Sequence, residues 1–156
     1  MTSQEIIQKA RAEGRVLLTE TESKELIKES GISVIETKLA RSISEAVAIS
    51  NQMGYPVVLK IASQDITHKS DAGGVKLGLL TPEAVGKAYE EIFTSVAQEY
   101  PSAAVQGVTV QNTARPGVEV IIGMFKDAQF GPVLMFGLGG IWVEILKDVS
   151  FRIVPL

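Results

Sequence analysis

The feature that most restricts the fold is an apolar run that breaks into a polar, glycine-ended loop and then resumes. Pro56–Ile61 is almost continuously apolar, and Lys60 is the charged residue that interrupts it. Such a run predicts a strand inside a sheet that is covered on both faces. Val75–Leu80 predicts a second strand, and the loop between the two carries the chain's single histidine, His68. We therefore expect a strand, loop and strand unit whose loop presents the polar side chains.

Helix-start signals precede and follow this unit. Thr19–Glu22 and Ser42–Glu45 both match the capping-box pattern, in which a hydroxyl and a carboxylate bond the free amides of a helix start. Thr81 followed by Pro82 and Glu83 predicts the start of a third helix. An amphipathic lead helix is expected over Ser3–Glu13, and a strand over Ile32–Leu39. This alternation predicts an α/β fold.

The composition shifts after Pro101, where strand-like segments separated by turn residues replace helical periodicity. Val105–Gln111 and Val118–Phe125 predict strands, with a turn-rich segment between them. A second lobe is therefore expected to begin at about residue 105.

Composition excludes several classes of function. The chain has no cysteine, which rules out disulfides and thiolate chemistry, and one histidine cannot build a histidine-rich metal site. The net charge of -3 without a basic stripe argues against a nucleic-acid partner. The run Phe130–Val143 carries no charge but is too short for a membrane span. No signal peptide is readable at the amino terminus, so a cytoplasmic protein is expected.

The loop and the strand before it contain the first candidate site. Lys60 is either an edge-strand lysine that reaches solvent or a phosphate contact. His68 is either an ordinary exposed histidine or a nucleophile toward phosphorus, with Lys69 offsetting phosphate charge. The other candidates are Ser70, Asp71, which would orient the imidazole, and Gly73 and Gly74, which permit close backbone approach or make a simple turn.

A second group of candidates lies toward the carboxyl end. The amides of Gly139 and Gly140 could contact a nucleotide phosphate, but the pattern alone favours a tight connection between strands. The segment is not a dinucleotide fingerprint, because Trp142 stands where that motif requires glycine. Glu119 and Glu144 each interrupt an apolar strand-like segment. They would accept ribose hydroxyls or hold magnesium, or they would simply face solvent.

Several segments, taken in order, give the chain a family resemblance that spans nearly its whole length. It resembles the ATP-grasp subunit of ADP-forming acyl-CoA synthetases, the beta subunit of acetate–CoA ligase. The segments that carry the match are Gly54–Lys60, His68–Val75, Gly117–Gly123, Asp127–Pro132 and Phe136–Asp148.

The resemblance implies a role for individual residues. Lys60 looks like the lysine that contacts nucleotide phosphates, and Gln111 lies in the hinge strand that lines the adenine. Glu119 is similar to the acid that holds the ribose. His68 looks like the second histidine of a phosphate relay, which receives phosphate from a histidine of a CoA-binding alpha-type partner and passes it to ADP.

The resemblance also implies an ATP-grasp fold with a complete first lobe and a partial second lobe. The expected division is a lead helix and linker at 1–18, the first lobe at 19–104 and the start of an incomplete second lobe at 105–156. The implied activity is that of an ADP-forming acid–CoA ligase working with its partner, ATP or ADP, phosphate and Mg²⁺.

One departure from the family leaves an alternative open. The family's second lobe continues past the segment that matches Phe151–Leu156, and its later part carries the magnesium-binding acids, so no metal ligand is assigned in this chain. The alternatives are a non-catalytic nucleotide-binding or assembly subunit, or the ATP-grasp portion of a fused protein that also bears an acetyltransferase.

Overall fold

A computed structural model describes residues 1–66, 68–140 and 149–155 of the chain. The chain forms two compact units, Met1–Ala114 and Arg115–Leu156. The helices are α1 (Ser3–Ala12), α2 (Glu20–Glu29), α3 (Ile43–Met53) and α4 (Pro82–Glu99). The strands are β1 (Thr37–Ala40), β2 (Val57–Ser63), β3 (Val75–Leu79), β4 (Val105–Asn112), β5 (Val120–Asp127), β6 (Gly131–Leu138) and β7 (Val149–Ile153). Among the helices of the described residues, none has the length and apolar character needed to cross a membrane.

The helix starts follow the capping signals, with one difference. At α2 the Thr19 hydroxyl accepts from the Glu22 amide, and the Glu22 carboxylate accepts from the Thr19 amide at 2.8 Å, which confirms the predicted box. At α3 the Ser42 hydroxyl accepts from the Glu45 amide, but the Glu45 carboxylate accepts from the Arg41 amide instead, at 2.7 Å. The second box is therefore only half formed, because the carboxylate bonds an amide one residue earlier.

The first unit contains a four-stranded antiparallel sheet in the order β1-β4-β2-β3. The predicted neighbouring strands β2 and β3 do pair, and β4 lies on the other side of β2. Lys60 stands opposite Val75 on β3 and Thr109 on β4. Since β2 is an internal strand, the edge-strand explanation of Lys60 is wrong.

The core lies between one face of this sheet and the helices α3 and α4. Leu59, Ile61, Val108 and Val110 are fully buried on that face. They pack with an apolar stripe of α4 whose members recur at helical spacing; the stripe consists of Val85, Ala88, Tyr89, Ile92 and Val96. Alternation along β2 and β4 therefore sends every second side chain into the core and leaves the others on the opposite face.

Two boundaries differ from those expected. β1 is Thr37–Ala40 and overlaps only the last three residues of the predicted strand Ile32–Leu39. Its partner β4 ends at Asn112, so residues 32–36 have no strand to pair with. The first unit extends to Ala114, not to residue 104, because β4 lies in the middle of the first sheet. The strand expected to open the second lobe is thus a central strand of the first.

The second unit holds a three-stranded antiparallel sheet in the order β5-β6-β7. β5 and β6 form a hairpin across Ala128–Phe130, and the Asp127 carboxylate accepts from the amides of Gln129 and Phe130 to close the turn. β5 begins at Val120, so Glu119 precedes the strand in which it was predicted to lie.

Candidate functional site

The centre of the site in the first unit is the carboxylate of Glu20, on which three lysines converge. Lys60 contacts Oε1 at 3.0 Å, Lys24 contacts the same oxygen at 3.3 Å, and Lys69 contacts Oε2 at 3.1 Å. These side chains come from the first turn of α2, the internal strand β2 and the His68 loop. The exposed fraction of the side chain is 17% for Glu20, 27% for Lys60 and 23% for Lys69.

Charge is unevenly distributed in this cluster, since three ammonium groups surround one carboxylate. Burial opposes the ionisation of Glu20, but the hydrogen bond from Lys60 and the charges of Lys60 and Lys69 outweigh burial and lower the pKa of Glu20 to about 2. Burial lowers the pKa of Lys24, and the Glu20 carboxylate opposes that change. The ionised cluster has a surplus of positive charge that suits an anion carrying more than one negative charge, such as a phosphate.

Gln111 lies at the edge of the same cluster. Its side-chain oxygen accepts from Lys24 at 2.7 Å and from the Thr37 hydroxyl at 3.3 Å. Lys24 also donates to the Thr37 hydroxyl, at 2.5 Å. Gln111, Thr37 and Lys60 therefore belong to the sheet face opposite the core, and α2 contributes Lys24 and Glu20 to that face.

The His68 loop is fixed to the first unit at both of its ends. Ile66 and Ala72 are buried in the core cluster, with 2% and 0% exposure. Between them, His68, Ser70 and Asp71 are exposed, whereas Lys69 reaches back to Glu20. The loop thus presents the imidazole to solvent directly beside Lys69, one of the three lysines around Glu20.

The two glycines that end the loop serve the two purposes that the sequence suggested for them. Gly73 has a φ of +63°, a backbone conformation that residues other than glycine rarely adopt. A Cβ on Gly74 would lie 2.6 Å from Cγ2 of Ile61 and 2.9 Å from the carbonyl oxygen of Lys69, and the Gly74 amide donates to that carbonyl at 2.8 Å. Close approach at Gly74 sets the path by which the loop re-enters the sheet.

A pocket of about 220 Å³ opens beside this cluster. Glu20 and Lys69 line it together with Thr109 of β4 and Ala62 and Ser63 at the end of β2. The pocket provides space for a ligand group next to both the loop lysine and the central carboxylate.

In the second unit, the structure brings Glu119, Gly139 and Gly140 together. The Gly139 amide donates to the Glu119 carbonyl oxygen at 2.8 Å. A Cβ on Gly140 would lie 2.6 Å from Oε2 of Glu119, so the carboxylate sits directly against that glycine. Glu119 is exposed, and most of the connection from β6 to β7, residues 141–148, lies outside the described residues.

Glu144 lies outside the described residues, as does the run 141–148 that surrounds it. Within residues 1–66, 68–140 and 149–155, no group of three or more histidine or acidic side chains could hold a metal ion.

Sequence reasoning missed the residues that organise the cluster, namely Glu20, Lys24 and Thr37. Glu20 and Lys24 stand four residues apart in a predicted helix, a spacing that indicates a local ion pair. No local signal connects either of them to Lys60 or Gln111, which are distant in the sequence and meet them only after the sheet has formed.

A comparison with protein families matches residues 9–156 to the ATP-grasp domain. The beta subunit of ADP-forming acetate–CoA ligase I from Pyrococcus furiosus is 51% identical over 154 residues, which are 99% of this chain and 66% of the relative. The chain thus spans slightly less than two thirds of that curated relative.

Solved structures give the same match. A dinucleotide-forming acetyl-coenzyme A synthetase 1 from Ca. Korarchaeum cryptofilum, solved with coenzyme A, Ca-AMPCP and HgCl+, is 51% identical with a TM-score of 0.94, covering 99% of this chain and 67% of that one. Another structure of that enzyme, with coenzyme A and Mg-AMPPCP, is described as having its phosphohistidine segment pointing towards the nucleotide binding site. It is 47% identical with a TM-score of 0.80, over 99% of this chain and 65% of that one.

Proposed function

We propose that this chain, which belongs to the ATP-grasp domain family, is the nucleotide-binding part of an ADP-forming acyl-CoA synthetase. The overall reaction converts acyl-CoA, ADP and phosphate into the free acid, ATP and CoA, and it uses a CoA-binding alpha-type partner. The observation that carries the proposal is the group of three lysines around Glu20, which adjoins the loop that bears His68.

Lys60 binds the phosphates of the nucleotide in this proposal. It stands on an internal strand, so its ammonium group is held in place by the sheet rather than by a flexible loop. A phosphate that approaches Lys60 also meets Lys24 and Lys69, because all three ammonium groups lie within 3.3 Å of Glu20. Their combined charge offsets the phosphate charge in a partly desolvated setting, where such attraction is strong.

His68 carries the phosphoryl group. Its imidazole nitrogen attacks the phosphorus of the partner's phosphohistidine, so that a nitrogen–phosphorus bond forms on His68 as the partner's bond breaks. An oxygen of the ADP β-phosphate then attacks that phosphorus, the His68 bond breaks, and ATP leaves. Division into two in-line steps makes positioning and charge the main requirements. The exposure of His68 and its place beside Lys69 support this role.

The remaining assignments follow the family resemblance. Gln111 lines the adenine, Glu119 holds the ribose, and the backbone at Gly139 and Gly140 contacts the nucleotide. The contact of Glu119 with Gly140 supports a common role for Glu119, Gly139 and Gly140. Mg²⁺ belongs to the reaction as the family performs it.

The test is a labelling experiment on this chain assembled with a CoA-binding alpha-type partner. With acyl-CoA and radioactive phosphate, acid-labile label is expected on this chain, and it should be lost in His68→Ala. Label that persists in His68→Ala would overturn the relay assignment. Nucleotide binding without any phosphotransfer would instead support a non-catalytic nucleotide-binding or assembly subunit.

A further inference from the structure

We propose that Glu20 is a positioning residue that docks the His68 loop, through Lys69, beside the phosphate-binding Lys60. This inference rests on the proposed function, in which His68 carries phosphate and Lys60 binds nucleotide. It adds a residue of α2 to the machinery and gives that residue the task of holding the carrier loop at the nucleotide.

The two oxygens of Glu20 divide their contacts between the regular elements of the first unit and the His68 loop. Oε1 contacts Lys60 on the internal strand β2 and Lys24 on α2, and Oε2 contacts Lys69 on the loop. The carboxylate therefore ties the loop to the sheet. Lys69 directly follows His68 in the chain, so fixing its side chain restricts the position of the imidazole.

The burial of this contact gives it a larger effect than an ordinary surface ion pair would have. Exposed pairs contribute little because solvent screens them. Here the side chains of Glu20 and Lys69 are about four fifths buried, and removal of one partner from a buried pair leaves the other without its counter-charge. The Lys69–Glu20 contact thus favours the docked loop over an open one.

The same contact is exchangeable, which a carrier loop requires. The carboxylate serves three ammonium groups at once, so release of Lys69 leaves Glu20 still paired with Lys24 and Lys60. Undocking the loop therefore does not strand a buried carboxylate. Only Lys69 loses its partner, and it moves into solvent with the loop.

Amide hydrogen exchange of this chain without nucleotide or partner tests the docking. The Gly73 and Gly74 amides are the probes, since they donate to carbonyl oxygens of Ser70 and Lys69 within the loop. Glu20→Gln and Lys69→Gln should each accelerate their exchange by roughly fivefold to thirtyfold, the range produced by a modest change in opening free energy. The double variant should exchange no faster than the faster single variant, because both changes break the same contact.

Three controls separate docking from general destabilisation. Glu25→Gln removes a charge from an exposed position of the same helix and should leave the loop amides unchanged. Lys69→Arg keeps the charge, so the Gly73 and Gly74 amides should exchange at close to the wild-type rate. Amides of α4 should exchange at wild-type rates in all variants. Lys69→Gln keeps Glu20 paired, so it remains informative if Glu20→Gln does not fold.

The docking proposal would be overturned if the Gly73 and Gly74 amides of Lys69→Gln exchanged at the wild-type rate. It would also be overturned if the acceleration in the double variant equalled the product of the accelerations in the two single variants. The result is independent of catalysis. Coupled exchange effects in a chain whose His68 takes no label in the assembled enzyme would overturn the relay and leave the docking role supported.

Discussion

The two faces of the first sheet are built from the same strands but differ in chemistry. Leu59 and Val110 close one face as dry core under α3 and α4, whereas Lys60 and Gln111, each the next residue along, turn to the other face and bond side chains of α2. Within the described chain no buried side-chain nitrogen or oxygen lacks a hydrogen-bond partner. The comparison shows that adjacent residues of one strand serve different surroundings, an apolar core on one face and a charged cluster on the other.

The largest expected effect comes from a change on the core face. Leu59→Ala removes a fully buried side chain and should lower the free energy of unfolding by about 2–5 kcal/mol, since a cavity is left between β2 and the helices. Urea denaturation measures the change. A loss below about 1 kcal/mol would show that the two faces do not differ in this way.

A change at the neighbouring residue, Lys60, should weaken nucleotide binding rather than destabilise the fold. Lys60→Met removes a phosphate contact and should weaken ADP binding by roughly tenfold or more, while Glu20 stays paired with Lys24 and Lys69. Isothermal titration calorimetry measures the affinity. Lys38→Met is the matched control, because Lys38 is a strand lysine of the same sheet that pairs with Glu36 at 3.2 Å. Equal losses in the two variants would argue against a specific role for Lys60.

Acid should affect the two faces differently. The pKa of Glu20 is lowered from 4.5 to about 2 in the folded chain, so its contribution to stability is complete above about pH 4.5 and is lost as the pH falls toward 2. Glu20→Gln should therefore be less stable than the wild type at pH 6, and this difference in unfolding free energy should shrink as the pH falls toward 2. Leu59→Ala serves as the contrast, since its loss of stability should persist across that range. Denaturation at a series of pH values separates the two.

The smallest effect is expected from a single hydroxyl on the polar face. Thr37→Val removes the hydroxyl that accepts from Lys24 and has two acceptors within reach, the Ile35 carbonyl at 3.1 Å and the Gln111 side chain at 3.3 Å. The change should cost about 1 kcal/mol of unfolding free energy. Thermal denaturation measures the change. A neutral result would indicate that the bond between Lys24 and Gln111 is sufficient to hold this face together.

Much of this fold could be predicted because the signals are local. The box at Thr19, the cap at Thr81 and the strand pair around His68 each depend on residues close in sequence, and the structure has them. The length of β1 could not be predicted, because it depends on where β4 ends. The place of β4 within the first unit could not be predicted either, because apolar periodicity reveals a strand without revealing its neighbours.

The site was predictable only in part, for a similar reason. Lys60 and His68 could be identified as candidates because they are polar residues within or beside apolar strands, and the family resemblance implies roles for them. Glu20 resembles any acid in a first helical turn until folding brings it to a lysine 40 residues away. Ion pairs between distant segments are products of the tertiary structure, and a single sequence contains no signal for them.

The burial of Ile66 and Ala72 has a consequence for distance. Each residue of chain spans at most about 3.6 Å, so His68 stays within roughly 7 Å of Ile66 while that side chain remains in the core. In the relay proposed above, a His68 anchored in this way can turn, but it cannot cross to a remote donor. Delivery over a longer path requires both anchors to leave the core, and the frequency of each journey is then governed by local unfolding rather than by phosphoryl chemistry.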